Sequence, residues 1–369
     1  MSAPDTRRVP FVGLDRQYRS VRDELLQAMD EVGNSGGYVL GDRVAAFEMA
    51  IATYCGSRFA IGVNSGADAL FLSLKHYGIG EGDEVITAPN SFIATAWVIA
   101  AAGARPVFAD VADDYNIDPD AVARAVTPRT RAIIPVHLTG RPADMDPLMA
   151  IARRHGLRVI EDAAQAIGAR YHGRRVGSFG DTGCFSLHPL KNLGVYGDGG
   201  VITTDDEAAY HSLLKWRNHG LRNRDECEFW GYNSRLDAIQ AAFATVKLAR
   251  LDAWNQRCRE IATLYREALR GLVWVPEDAP DTEGVYHNFV IRTPNRDQLM
   301  AHMQAQGVDS RIHYPIPLHL QEAAAYLGYH AGDFPVTERQ AKEIVSLPIY
   351  PELEASEIEQ VIDAVRSFF

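Results

Sequence analysis

From Ala67 to Thr204, short apolar runs alternate with longer amphipathic segments, and this narrows the fold more than any other feature of the chain. Runs at 85–88, 106–111, 132–138, 157–160, 184–187 and 201–204 are mostly rich in β-branched residues. They are bounded by Gly, Pro or Asp, so each reads as a strand. Between them, 67–76, 92–102, 118–126 and 144–155 have helical spacing. Asp118-Pro119 is a good helix start, and Arg153-Arg154-His155 before Gly156 is a good stop. Such alternation predicts a mainly parallel sheet flanked by helices on both faces.

Past residue 235 the pattern changes. Residues 236–270 read as long helices; strands at 285–291 and 310–313 and helices at 296–306 and 357–367 follow, with Ser356 and Glu359 as an expected capping box. The expected architecture is a large α/β domain over 1–245 and a smaller C-terminal α+β domain over 246–369.

Charge and cysteine spacing remove several function classes. The 37 Lys and Arg are outnumbered by 48 Asp and Glu, giving a formal net charge of −11, which opposes binding to nucleic acid or an anionic membrane. No apolar run reaches the ~18 residues of a membrane span. The first ten residues hold Asp5, Arg7 and Arg8 but no apolar stretch, so no signal peptide is expected. Cys55, Cys184, Cys227 and Cys258 form no CxxC pair, which argues against structural zinc and disulfides and for the cytoplasm.

Open parallel sheets bind ligands beyond the carboxyl ends of their strands. After 157–160 comes Glu161-Asp162-Ala163-Ala164-Gln165, which puts a carboxylate at a buried strand's end. Asp162 there is either a helix cap or an anion kept for a protonated ligand nitrogen. The run DTGCFSLHPLKNLGVYGDGG sets Lys191 among Gly183, Gly194, Gly197, Gly199 and Gly200. A desolvated lysine titrates lower and becomes an amine nucleophile; an exposed turn lysine is the alternative. Asn64-Ser65-Gly66-Ala67 opens a helix whose free amides suit a phosphate, or is simply capped by Ser65. Phe92 follows another strand end and either joins the core or stacks on a flat ring. Amine, carboxylate, anion cradle and aromatic face together make the set a pyridoxal phosphate site needs.

The chain resembles the DegT family of sugar aminotransferases, pyridoxal phosphate enzymes of fold type I. The likeness runs through Gly37-Tyr38-Val39-Leu40-Gly41, 64–70, Ser91-Phe92-Ile93-Ala94-Thr95, 161–165, 185–200, Asn218-His219-Gly220, 231–240 and His313-Tyr314-Pro315-Ile316-Pro317-Leu318-His319. The resemblance implies that Lys191 binds the cofactor's aldehyde and Asp162 its pyridine nitrogen. It implies Gln165 near the phenolic oxygen and Phe92 stacked on the ring. Gly66, Ala67 and Ser186 match phosphate contacts, and Asn233 matches a phosphate ligand lent by a second subunit, hence a homodimer with shared sites. Asn233 as a helix cap before Leu236 is the alternative. Two positions depart from the family pattern: Ala67 stands where Thr is common, and His188-Pro189-Leu190 precedes Lys191.

The resemblance implies a reaction that moves an amino group from an amino acid, L-glutamate, to a ketosugar, expected to be a nucleotide-linked keto-deoxysugar with the ketone at C-3. His188, Arg235, His313, Tyr314 and His319 are the candidate substrate contacts, and Arg217, Arg222 and Arg224 are further candidate cations. No metal is expected. A ketosugar without a nucleotide (a phosphorylated hexose or higher-carbon keto acid), a cyclitol ketone, or a non-catalytic regulator on the same fold are the alternatives.

Overall fold

The structure is a computed structural model that describes residues 8–369. Most of the N-terminal stretch in which no signal peptide is expected, residues 1–7, lies outside the described residues. Two helices, α1 (Leu14–Ser35) and α2 (Asp42–Cys55), precede the alternating region. Then follow β1 (Phe59–Val63), α3 (Gly66–His76), β2 (Glu84–Thr87), α4 (Ile93–Ala101), β3 (Arg105–Phe108), α5 (Pro119–Ala125), β4 (Thr130–Ile134), α6 (Met145–His155) and β5 (Arg158–Asp162). A small hairpin, β6 (Arg170–Tyr171) and β7 (Arg174–Arg175), leads to β8 (Thr182–Ser186), β9 (Gly200–Thr204) and α7 (Glu207–Trp216). The chain continues through α8 (Ala238–Leu248), α9 (Leu251–Leu269), β10 (Thr282–Glu283), β11 (Phe289–Arg292), α10 (Arg296–Ala305), α11 (Pro335–Glu343), β12 (Ile344–Leu347) and α12 (Ala355–Arg366).

The main sheet has seven strands in the order β1-β9-β8-β5-β4-β2-β3, and β9 alone runs against the others. Its strands are apolar on both faces because helices cover both. Ile61, Val85, Ile134 and Ile160 pack with α3 and α4, while Ile86, Ile133 and Val159 pack with α5 and α6. The expected mainly parallel α/β layer is therefore present. A separate core joins α9, α10 and α12 to the β11–β12 pair through Tyr265, Phe289, Leu299, Val345 and Val361. Among the described residues, no helix is long and apolar enough to cross a membrane.

Local chemistry explains the boundaries that the sequence located. Asp118 accepts from the Asp120 amide with Pro119 just inside α5, and Gly156 closes α6 at φ 65°.

Three expectations need correction. Residues 310–313 form no strand: Arg311 alone pairs with Ser346, and Pro315 and Pro317 lack the amides to continue a ladder. The strand expected at 285–291 begins only at Phe289, because the Val285 and Asn288 amides bond to Gly140 and Thr139 instead. Ser356 does not cap the last helix. That helix starts two residues earlier, where Glu354 caps it and the Glu357 carboxylate accepts from the Glu354 amide at 3.0 Å. The sequence reading also passed over β1, a five-residue strand containing Gly62.

Candidate active site

The carboxyl ends of β1, β2, β5 and β8 all open on one cavity of about 470 Å³. The segments Phe11–Gln17, Tyr286–Asn288, His313–Tyr314 and Ile349–Glu352 complete its walls.

Asp162 is the last residue of β5 and is 5 % exposed. Thr95 Oγ1 on α4 donates to its Oδ2 at 2.8 Å, and the Ala164 amide donates to Oδ1 at 3.2 Å. Thr95 has one hydroxyl proton, so Ser91, 2.8 Å away, donates to Thr95 in turn. Burial raises the Asp162 pKa, while the Thr95 hydroxyl, the Ala164 amide and the charge of Lys191 pull it back down. One residue earlier, the fully buried Glu161 accepts from the Gly177, Phe179 and Gly180 amides, each at 2.7 Å. His137 Nδ1 accepts from the Ala143 amide, so its Nε2 carries the proton donated to Glu161 at 3.0 Å.

Lys191 lies half-buried in the loop after β8 and lines the cavity. Burial pushes its ammonium down to about 8, against a smaller upward pull from Asp162. Its loop is tied down by Asn192, which donates to Asn255 Oδ1 at 2.9 Å and to the Val285 carbonyl at 3.1 Å. An amine that readily loses its proton thus shares one cavity with a fixed carboxylate.

At the start of α3, Ser65 Oγ accepts the Asp68 amide and the Ser65 carbonyl accepts that of Ala69. The Gly66 and Ala67 amides at this end are the ones free to meet an anion. Ser186 ends β8 directly opposite: a Cβ on Gly66 would stand 2.7 Å from the Ser186 Cβ. Only glycine leaves this cradle open.

Gln165 accepts the Thr139 amide on Oε1 at 2.7 Å, so its Nε2 is the end presented toward Tyr314, 3.5 Å away. Phe92, half exposed at the start of α4, faces Tyr314 with ring centroids 5.7 Å apart. The desolvated Tyr314 phenol is pushed up to about 12. His313 stacks on Phe11 and bonds Ser346 at 2.9 Å; burial pushes it down to about 4. His188 is exposed to the cavity, and its Nδ1 accepts from the Leu190 amide at 3.3 Å.

The cavity therefore brings together Lys191, Asp162, Gln165, Gly66, Ala67, Phe92, Ser186, His188, His313 and Tyr314. It does not include His319, Arg235 or Asn233. His319 has a fully buried side chain, bonded to Glu338 at 3.1 Å and packed on Phe334, so it is a core histidine here and not a substrate contact. Arg235 donates to Asn218 at 3.1 Å, and Asn233 is exposed beside Asn218 on the same segment. Arg217 is buried under β1, bonded to Glu48 and the Gly62 carbonyl. The sequence reading missed Ser91 and Thr95 as the support of Asp162. It also missed His287, which lines the cavity and which burial pushes well below the usual histidine range. A Ser and a Thr four apart on a helix start were the one available hint of the former.

A profile of the DegT/DnrJ/EryC1/StrS aminotransferase family matches residues 19–366. A dTDP-3-amino-3,4,6-trideoxy-alpha-D-glucose transaminase of Streptomyces venezuelae is 46% identical over 370 residues, covering 100% of this chain and 98% of that one. A pleiotropic regulatory protein of Geobacillus stearothermophilus is 45% identical, covering 98% of each. Among solved structures, S. venezuelae DesV in complex with a ketimine intermediate superposes with a TM-score of 0.97 at 46% identity, over 98% of this chain and 99% of that one. Bacillus subtilis NtdA with bound cofactor PMP superposes with a TM-score of 0.92 at 31% identity, over 99% and 86%.

Proposed function

The chain belongs to the DegT/DnrJ/EryC1/StrS aminotransferase family, and on that footing we propose that it transfers an amino group from L-glutamate to a nucleotide-linked 3-ketosugar, using pyridoxal phosphate. The observation that carries this reading is the cavity itself, where a depressed lysine, a propped carboxylate and an open helix start converge. The C-3 position is supported by the S. venezuelae relative, whose name specifies a 3-amino sugar.

The residues fit the cofactor on three counts. Lys191 is depressed enough to present a free amine near neutral pH. Gly66 leaves room for a phosphate beside Ser186 and the Ala67 amide. Asp162, buried and hydrogen-bonded on both oxygens, suits a protonated pyridine nitrogen. Pyridoxal phosphate, when bound, supplies an electron-accepting ring for the carbanion at the donor's α-carbon. Lys191 would hold the aldehyde and, once released, would move the proton from that α-carbon. Asp162, its orientation held by Thr95, would keep the ring nitrogen charged. With its Oε1 taken by the Thr139 amide, Gln165 would offer an N–H to the phenolic oxygen, and the half-exposed Phe92 would cover the ring. His188, His313 and Tyr314 line the space left for donor and sugar.

Two further parts of the proposal concern assembly. Asn233 serves the cavity of a second copy, in a homodimer with shared sites. The exposure of Asn233 and of neighbouring Trp230, at 89 %, supports this, since large exposed aromatics mark contact surfaces. The chain divides near residue 245 into the large and small domains, supported by the separate core of α9, α10, α12 and the β11–β12 pair.

The test is an assay of 2-oxoglutarate release from L-glutamate with dTDP- and UDP-linked 3-ketosugars, beside free and phosphorylated ketosugars and a cyclitol ketone. Turnover confined to the nucleotide-linked set is the expected result. A protein that binds cofactor but shows no glutamate-driven spectral change, with no turnover on any acceptor, would favour the regulator reading.

A further inference from the structure

Lys247 is an amine that the reaction above does not use. It lies on α8, is 2 % exposed, and donates to two neutral oxygens: the Gly194 carbonyl at 2.6 Å and Gln17 Oε1 at 2.9 Å. Its Nζ also stands 4.4 Å from the centroid of the Tyr196 ring. Neither acceptor is a carboxylate; burial pushes this ammonium down to about 8, against a smaller upward pull from the Glu352 carboxylate, which does not hydrogen-bond to it. A buried ammonium whose hydrogen bonds all go to neutral oxygens is costly, so its placement calls for a reason.

All three partners bear on the lysine loop. Gly194 and Tyr196 follow Lys191 by three and five residues, and Gln17 sits on α1 in the cavity wall. The loop is tight at Gly194, where a Cβ would collide with the Pro189 carbonyl. Two of its backbone amides are anchored as well. Lys191 donates to the His188 carbonyl and Val195 to that of Leu187, both at 2.8 Å. Two turns before Lys247 on the same face of α8, Gln240 takes the Tyr196 amide on Oε1 and donates to its carbonyl at 2.9 Å.

We propose that Lys247 is a positioning residue for the reaction at Lys191: from α8 it fixes the Gly194 carbonyl, and with it the loop from Lys191 to Tyr196, against the α1 wall of the cavity. This rests on Lys191 being the reactive amine. Gln240 holds the far end of the loop, Asn192 holds the middle to α9, and Lys247 links the loop to the wall that bounds substrate. Without it, Gly194 O and Gln17 Oε1 become buried acceptors with no donor, and the loop gains freedom next to the one atom that has to attack.

The test replaces Lys247→Met, which keeps the apolar stem, and Lys247→Gln, which keeps an N–H donor without the charge. Amide exchange over 191–196 in the cofactor-free protein should rise about tenfold in the Met variant. The turnover of the glutamate half-reaction should fall about tenfold with KM for glutamate within about twofold. The pH midpoint for capture of pyridoxal phosphate by Lys191 should move from its wild-type value. The Gln variant should recover part of each. Unchanged exchange, turnover and midpoint, or losses matched wholly by a lower Tm with turnover intact, would overturn the proposal. Borohydride labelling of the wild type separates the two levels. Absence of label on Lys191 removes the site reading and this proposal together, whereas label on Lys191 with a wild-type-like Met variant removes this proposal alone.

Discussion

The Thr95 hydroxyl donates to the Asp162 carboxylate across 2.8 Å, joining the start of α4 to the end of β5. Ser91 backs Thr95 at the same distance, so the buried carboxylate stands at the end of a two-hydroxyl relay. Desolvation favours the neutral acid and this donor favours the anion, so the contact bears directly on which form Asp162 takes.

Thr95→Val keeps the shape and removes the donor. A hydrogen bond to a charged group contributes ~1.5–3 kcal/mol, so the glutamate half-reaction should slow by at least about tenfold, and Thr95→Ser should restore most of it. Stopped-flow spectra of the cofactor band check this; an unchanged rate in the Val variant would show that the relay does not matter.

The lowered pKa of Lys191 predicts a pH dependence whose sign is fixed. The deprotonated amine is the nucleophile, and the folded chain releases that proton near 8 instead of near 10.5. Capture of pyridoxal phosphate by the cofactor-free protein should therefore be slow below pH 7, rise through about 8 and level off before pH 10. A rise continuing past pH 10 would mark an ordinary exposed lysine.

Gly66→Ala forces a Cβ to within 2.7 Å of the Ser186 Cβ, tighter than packed carbons tolerate. Overpacking of this kind costs ~1–3 kcal/mol, and the cradle narrows as well. Equilibrium dialysis should show cofactor binding weakened by about tenfold or more, with Ser186→Ala giving a milder loss.

Asn233→Ala changes an exposed side chain outside the cavity of its own chain. In a dimer with shared sites it should nevertheless weaken cofactor retention while leaving Tm nearly unchanged. Sedimentation alongside dialysis checks both parts; a fully active monomer would contradict the shared site.

Sequence and structure agree best where chemistry follows a strand end. Asp162 and Lys191 were legible because a buried strand followed by a carboxylate, and a glycine-dense loop holding a lysine, are local patterns. Thr95 as the partner of Asp162 was not, because the two are 67 positions apart and only the parallel crossover brings them together. Nothing in the sequence singles out Lys247, because its partners Gln17 and Gly194 lie 230 and 53 positions away. His319 misled in the opposite direction: its spelling among prolines suggested a ligand contact, yet its ring fills a core beside Phe334 and Glu338. The 310–313 run has strand composition, but only tertiary context decides that β12 pairs chiefly with β11.

Borohydride reduction of the cofactor-loaded protein, followed by peptide mass mapping, addresses the site most directly. A pyridoxyl mass on the peptide bearing Lys191, absent from the peptide bearing Lys247 and abolished by Lys191→Ala in a folded protein, is the expected result. A label on another lysine, or none at all, would contradict Lys191 as the amine that holds the cofactor.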